Sequence, residues 1–181
     1  MRARHPLPTL WLMTDERQGE ALWRALERLP RGAGVVFRHH STALRERKGL
    51  FARVRKVARR NRLVLVLAGP ASLAAAWKAD GVHGRGRDRR PTRRLIRTAP
   101  VHDMIELRAA ERAGADLLFL SPVFATRSHP GERTLGPVGF GRLARAARRR
   151  VVALGGMTER HARRLAKLGC DGWAAIDALS R

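Results

Sequence analysis

Short apolar runs alternate along the chain with longer stretches of helical spacing, and that rhythm limits the fold more than any other feature. The runs are Leu7–Met13, Val35–His39, Leu63–Leu67, Asp80–His83, Ile96–Ala99, Asp116–Leu120, Val151–Leu154 and Asp171–Ile176. Between them, Ala21, Leu22, Ala25, Leu26 and Leu29 recur at helical intervals, and Ser41 or Thr42 can cap a helix to about Arg60 with Leu44, Leu50, Phe51, Val54 and Val57 inside. Further helices are predicted over Ala71–Trp77, Thr92–Leu95, His102–Ala113, from Pro137 to about Arg149, and from a Thr158 cap to Gly169. Strict alternation with short connections implies a parallel sheet. Eight repeats imply an α/β (β/α)8 TIM barrel. At 181 residues it is a short one, with at most one helical turn, Asp177–Arg181, left for its C-terminal helix. An open flavodoxin-like sheet is the alternative architecture.

In a barrel the chemistry sits just past the C-terminal strand ends. The most informative stretch runs from Leu117 to Gly156. An apolar strand passes into Ser121-Pro122-Val123-Phe124-Ala125-Thr126-Arg127-Ser128-His129, and a second strand ends in Gly155-Gly156. Backbone N–H groups at paired glycines, with Thr and Ser hydroxyls beside them, can cradle a phosphate. Thr126, Ser128, Gly155 and Gly156 are therefore the candidate phosphate or pyrophosphate ligands.

The length fits a single domain over residues 1–181. No apolar run approaches the ~20 residues of a membrane helix. The N-terminal residues do not read as a signal peptide, so a cytoplasmic protein is expected. Cys170, alone, excludes an internal disulfide and a cysteine-rich zinc site. It reads as a small buried residue at a turn.

The net charge is +23, which can signal a nucleic-acid partner. Against this, 34 of the 38 basic residues are Arg, scattered along helices, and abundant Ala and Gly suggest a GC-rich genome. There is no Tyr, so a base-stacking surface has little support. His39 and His40 are adjacent, and adjacent strand residues face opposite sides. One is expected in the barrel mouth, and a two-histidine metal site is not.

Several motifs resemble the thiamine phosphate synthase / TenI family. Leu10-Trp11-Leu12-Met13-Thr14-Asp15 matches its opening LYLVTD, and Ala79-Asp80-Gly81-Val82-His83 its ADGVH. Ala113-Gly114-Ala115-Asp116 with the Ser121–Ser128 stretch matches AGADY…GPVFPTxTK. Val151–Met157 matches PVVAIGGI, and Leu168–Ala174 matches AGADGVAV. The resemblance implies a (β/α)8 barrel of thiamine biosynthesis, joining an aminopyrimidine pyrophosphate to a thiazole phosphate with release of pyrophosphate. It implies Mg²⁺ at Asp88, thiazole phosphate on Gly155 and Gly156, pyrophosphate or phosphate on Thr126 and Ser128, and a proton-moving histidine at His102. It also suggests a homodimer.

The departures from the family pattern cluster where charge matters. QLR(E/D)K becomes Phe37-Arg38-His39-His40-Ser41, which keeps Arg38 as a candidate for an acidic substrate. NDR, with its metal-binding aspartate, becomes Ala68-Gly69-Pro70. The Gln of GQxD is Gly86, the Ser of GVS is Pro100, the Lys after TxT is His129, and a phosphate-binding Ser is Asp177. His129 is thus a candidate cation at the active site. Three readings follow. The first is a synthase, with Mg²⁺ if the lost ligands are replaced. The second is a metal-free thiazole phosphate tautomerase using His102. The third is a non-catalytic barrel that binds a phosphorylated ligand or nucleic acid.

Overall fold

The computed structural model describes residues 7–86, 95–126, 131 and 133–180. Eight strands close into a parallel barrel in sequence order: β1 Leu10–Met13, β2 Gly34–Phe37, β3 Val64–Ala68, β4 Gly81–His83, β5 Ile96–Val101, β6 Leu117–Leu120, β7 Arg150–Ala153 and β8 Gly172–Ala175. Closure is made by β1 against β8, with Leu10, Trp11 and Leu12 opposite Trp173, Ala174 and Ala175. The open-sheet alternative is thereby excluded. The described helices are α1 Ala21–Arg28, α2 Leu44–Arg60, α3 Ala71–Ala76, α4 Met104–Arg112, α5 Gly136–Ala146 and α6 Glu159–Leu165. The helix predicted at Thr92–Leu95 falls almost wholly outside the described residues. After β8 there is one 3₁₀ turn, Asp177–Leu179.

The strand residues alternate between two environments. Trp11, Met13, Val36, Val66, Ala68, Leu117, Phe119, Val152 and Ala174 pack on one another inside the barrel. Their neighbours Leu12, Val35, Phe37, Leu65 and Leu67 pack under α1–α3. Ala99, Val101, Leu118, Leu120, Val151 and Ala153 pack under the later helices. Burial on both faces explains why the strands read as continuous apolar runs. Trp11 fills much of the barrel interior. Its ring meets Phe119 edge-on at 5.4 Å, and a Cβ on Gly34 would lie 2.1 Å from that ring.

Three of the motif aspartates belong to the scaffold. Asp80 Oδ2 accepts the Leu65 N–H at 2.9 Å, Asp116 Oδ2 that of Arg97 at 2.9 Å, and Asp171 Oδ2 that of Val151 at 2.8 Å. Each aspartate directly precedes an even-numbered strand and caps an N–H at the start of the odd strand before it. These N–H groups lie where the ladder has no further partner.

Three local expectations are corrected. Neither Ser41 nor Thr42 caps α2. Its N-cap is Ala43, without a side-chain bond, and the Ser41 N–H instead reaches Glu16 Oε1 at 2.9 Å. The inner face of α2 is Arg47, Phe51, Val54 and Ala58, while Leu44 is 63% exposed. Helix α5 stops at Ala146, because Ala147 turns to extended backbone and the chain enters β7.

Candidate active site at the C-terminal rim

The loop after β6 and the turn after β7 are joined as one unit. Val123 donates its N–H to the Leu154 carbonyl at 2.9 Å, and Phe124 donates to Gly155 at 3.0 Å. The returning chain adds Leu135 N–H to Pro122 O at 2.8 Å and Gly136 N–H to Val123 O at 3.0 Å. Both glycines have left-handed backbone, φ +91° at Gly155 and +61° at Gly156. There is no space for a side chain at either. A Cβ on Gly155 would be 2.8 Å from Pro122 Cα, and one on Gly156 2.4 Å from the Ala125 carbonyl oxygen. His161 secures the turn from α6. Its Nδ1 lies 2.9 Å from the Gly156 carbonyl oxygen and its ring lies 4.2 Å from that of Phe124.

A cavity of about 240 Å³ opens beside this unit, lined by Thr126, Gly155, Gly156, Met157, Thr158, Ile176 and Asp177 among others. Thr126, Gly155 and Gly156 are therefore brought together. Thr158 accepts the His161 N–H through its hydroxyl at 3.3 Å, as the predicted cap of α6. Among the described lining residues Asp177 contributes the only carboxylate. Ser128, His129 and Asp88 lie outside the described residues.

A second group of charged residues stands at the ends of β1 and β2. Arg38 Nη2 reaches Asp15 Oδ2 at 2.8 Å, and Arg38 Nε donates to the Thr14 carbonyl at 3.0 Å. Arg17 clamps the same carboxylate from Nε at 2.7 Å and Nη2 at 3.0 Å. The Arg17 hydrogen bonds, reinforced by the Arg38 charge, overcome burial and hold the Asp15 carboxyl at about 2. His39 has positive φ, +44°, and is 5% exposed. It lies flat on Phe37 at 4.7 Å and meets Thr14 Oγ1 through Nδ1 at 2.9 Å. His39 thus shares the outer layer with Phe37, and burial pushes its pKa down. His40 is exposed, and partial burial lowers its pKa as well.

His83, at the end of β4, is the site residue that motif reading passes over. Its Nδ1 is 2.9 Å from Thr98 Oγ1 and its ring meets Phe119 edge-on at 5.4 Å. Burial, with the charges of Arg38 and His40, drives its pKa down to about 3. The signal was present in the alternation of β4, where Gly81 and His83 share the inward face. His102 follows β5 and is partly exposed. Its Nδ1 lies 2.7 Å from Glu106 Oε2, and Arg85 Nη2 holds Glu106 Oε1 at 2.9 Å. Glu106 also accepts the His102 backbone N–H at 2.9 Å, so the ring is pinned to the start of α4.

Mg²⁺ needs near-octahedral oxygen donors, of which carboxylates supply one or two. At this rim Asp15 is taken by two guanidinium groups, Glu106 by Arg85 and His102, and Glu16 by the Ser41 N–H. Among the described residues no three His, Cys, Asp or Glu side chains gather as a metal-binding group. The described donor set does not fit Mg²⁺.

A family model described as thiamine monophosphate synthase matches residues 10–179. The thiamine-phosphate synthase of Pyrococcus furiosus is 29% identical over 177 residues, covering 94% of this chain and 86% of its own. That of Chloroflexus aurantiacus is 34% identical over 160 residues, covering 82% of this chain and 72% of its own. Among solved structures, the thiamine phosphate pyrophosphorylase from Pyrococcus furiosus superposes with a TM-score of 0.78 at 30% identity, covering 97% of this chain and 88% of its own. No helix among the described residues is long and apolar enough to cross a membrane.

Proposed function

The chain belongs to the thiamine monophosphate synthase family, and from that we propose that it joins an aminopyrimidine pyrophosphate to a thiazole phosphate, releasing pyrophosphate. The observation that carries this reading is the cavity beside the joined 121–126 loop and Gly155-Gly156 turn, an opening of about 240 Å³ at the catalytic end of the barrel. The thiazole phosphate would enter that cavity, against the backbone of Gly155 and Gly156 and the Thr126 hydroxyl. Ser128 would complete the contact with the departing pyrophosphate.

The thiazole ring nitrogen attacks the pyrimidine methylene carbon. A C–N bond forms, the C–O bond to pyrophosphate breaks, and the electron pair leaves on the pyrophosphate. Arg38 stands at the rim with its guanidinium held by Asp15 and the Thr14 carbonyl, and would meet the developing negative charge there. Preorganised charge of this kind lowers the barrier without reorganising during the reaction. His129 would add a cation from the same loop. The resemblance assigns Mg²⁺ to Asp88, and because the described donors do not fit the ion, no step is routed through it.

The test is formation of thiamine phosphate from the two substrates, with pyrophosphate released in equal amount. Product in that ratio is expected. Intact substrates after incubation with stoichiometric protein, with and without Mg²⁺, would overturn the reading. The tautomerase reading has one supporting contact, the Glu106 bond that orients His102 Nδ1. A His102→Gln variant separates the two, since it removes proton transfer but leaves the coupling reaction unchanged.

A further inference from the structure

We infer that Arg47 makes the β2–β3 end of the rim an anion site that takes a diphosphate without a divalent cation. The inference rests on the proposed function for the identity of the diphosphate.

Arg47 lies in the first turns of α2 but is only 7% exposed. Its guanidinium passes between the rings of Phe37 and Trp77, 5.7 Å from each. Nε and Nη2 donate to the Arg38 carbonyl at 2.9 and 2.6 Å, and Nη2 donates to the Ala68 carbonyl at 2.6 Å. These two carbonyls lie past the end of β2 and at the end of β3, so the guanidinium bridges the strand tips. Nη1 makes no hydrogen bond among the described residues and is not sealed from solvent. It borders Gly69, where a Cβ would be 4.0 Å away.

Among the described residues no carboxylate touches this buried charge. Glu16, the acid that acts on it at longer range, is engaged with the Ser41 N–H. Asp15 is taken by Arg17 and Arg38. Burying a guanidinium with carbonyl dipoles alone is costly, and an anion at Nη1 would relieve it. Ala68 and Gly69 leave the space above β3 clear of large side chains. Arg38 on the β2 loop is the neighbouring cation, and His40 beside it is held neutral by burial and by the Arg47 and Arg38 charges. The carboxylates at this end of the described rim, Asp15 and Glu16, are already engaged, and guanidinium groups stand in the same region. With Nε and Nη2 on the carbonyls, Arg47 offers an anion one fixed, charge-assisted donor, Nη1.

A purely structural reading is that Arg47 is a strut for two carbonyls. Glutamine and lysine variants separate the readings. Arg47→Gln keeps an N–H donor for the carbonyls and removes the charge, whereas Arg47→Lys keeps the charge. The experiment is isothermal titration of the full chain with inorganic pyrophosphate in EDTA at about 150 mM salt, where exposed charges are largely screened. One site per chain is expected. Arg47→Gln should weaken it by about 10- to 100-fold, the range for loss of a charge-assisted bond. Arg47→Lys should retain most of the affinity. Lys56→Gln, on the exposed face of α2, should leave it unchanged.

Binding that appears only with Mg²⁺ would overturn the inference, as would an Arg47→Gln isotherm equal to that of the unaltered chain, or an equal loss in Lys56→Gln. Should Arg47→Gln fail to fold, the EDTA isotherm of the unaltered chain and the Lys variant still decide. Turnover accompanied by Mg²⁺-dependent pyrophosphate binding would keep the proposed function and remove this inference. Metal-free binding at one site without turnover would do the reverse.

Discussion

Phe124 donates its backbone N–H to the carbonyl oxygen of Gly155 at 3.0 Å, and this bond makes two loops from different strands one wall of a cavity. The glycine pair permits it. Beyond their left-handed backbone, Gly155 and Gly156 leave the Pro122–Ala125 segment room to lie directly on the turn. Gly156→Ala combines strain at φ +61° with a 2.4 Å clash against backbone that cannot swing away. It should cost about 1–3 kcal/mol of stability. It should also abolish the rise in melting temperature that thiazole phosphate gives the unaltered chain. An unchanged ligand-induced rise would remove the glycine turn from the binding site.

Asp15 links the β1–β2 rim to pH. Its carboxyl titrates at about 2 in the folded chain against 3.8 for an ordinary aspartate. A lowered acid pKa gives stability that is complete above the unfolded value and is lost as pH falls through the folded one. The window is therefore about pH 4 down to pH 2, and the contribution is about 2 kcal/mol. Urea denaturation at a series of pH values should show Asp15→Asn less stable at pH 6 and the gap closing toward pH 2. A gap independent of pH would mean that the carboxylate charge contributes nothing.

His83 should remain neutral throughout the physiological range. Its pKa is depressed to about 3 from 6.5, chiefly by burial. The unfolded chain therefore takes up a proton there before the folded one does. Stability from this residue is complete above about pH 6.5 and declines as pH falls toward 3. In an NMR titration the His83 ring resonances should not move between pH 5 and 8, while those of an exposed histidine do. A midpoint near 6.5 for His83 would place the ring in water.

The barrel was legible because its strands are apolar on both faces and end in turn residues, so eight runs could be counted directly. The paired glycines were legible for a related reason, since close backbone approach leaves few alternatives to glycine. Arg47 was not. A charged residue on a long, Arg-rich helix reads as solvated, although its spacing from Phe51, Val54 and Ala58 placed it on the buried stripe. His39 lies on the Phe37 side, where strand alternation carried past Phe37 puts it, even though its own φ is positive. The Ser41 and Thr42 caps failed because α2 begins at Leu44, which leaves the N-cap position to Ala43.

The three strand-edge aspartates give the last expectation. ADG and GAD turns attract functional readings, yet Asp116 sits at the start of β6, at the end of the barrel away from the cavity, and caps the Arg97 N–H at 2.9 Å. Asp116→Ala leaves that N–H without its acceptor at a half-buried position, which should cost about 1–3 kcal/mol. Asp116→Asn keeps an acceptor oxygen and should recover most of the loss. Because the bond lies far from the rim, pyrophosphate affinity should be the same in both variants as in the unaltered chain. Equilibrium urea denaturation should show a lower midpoint for Asp116→Ala with an unchanged slope, the signature of lost stability without a change in the surface exposed. Loss of ligand affinity at full stability would instead assign the aspartate to the site.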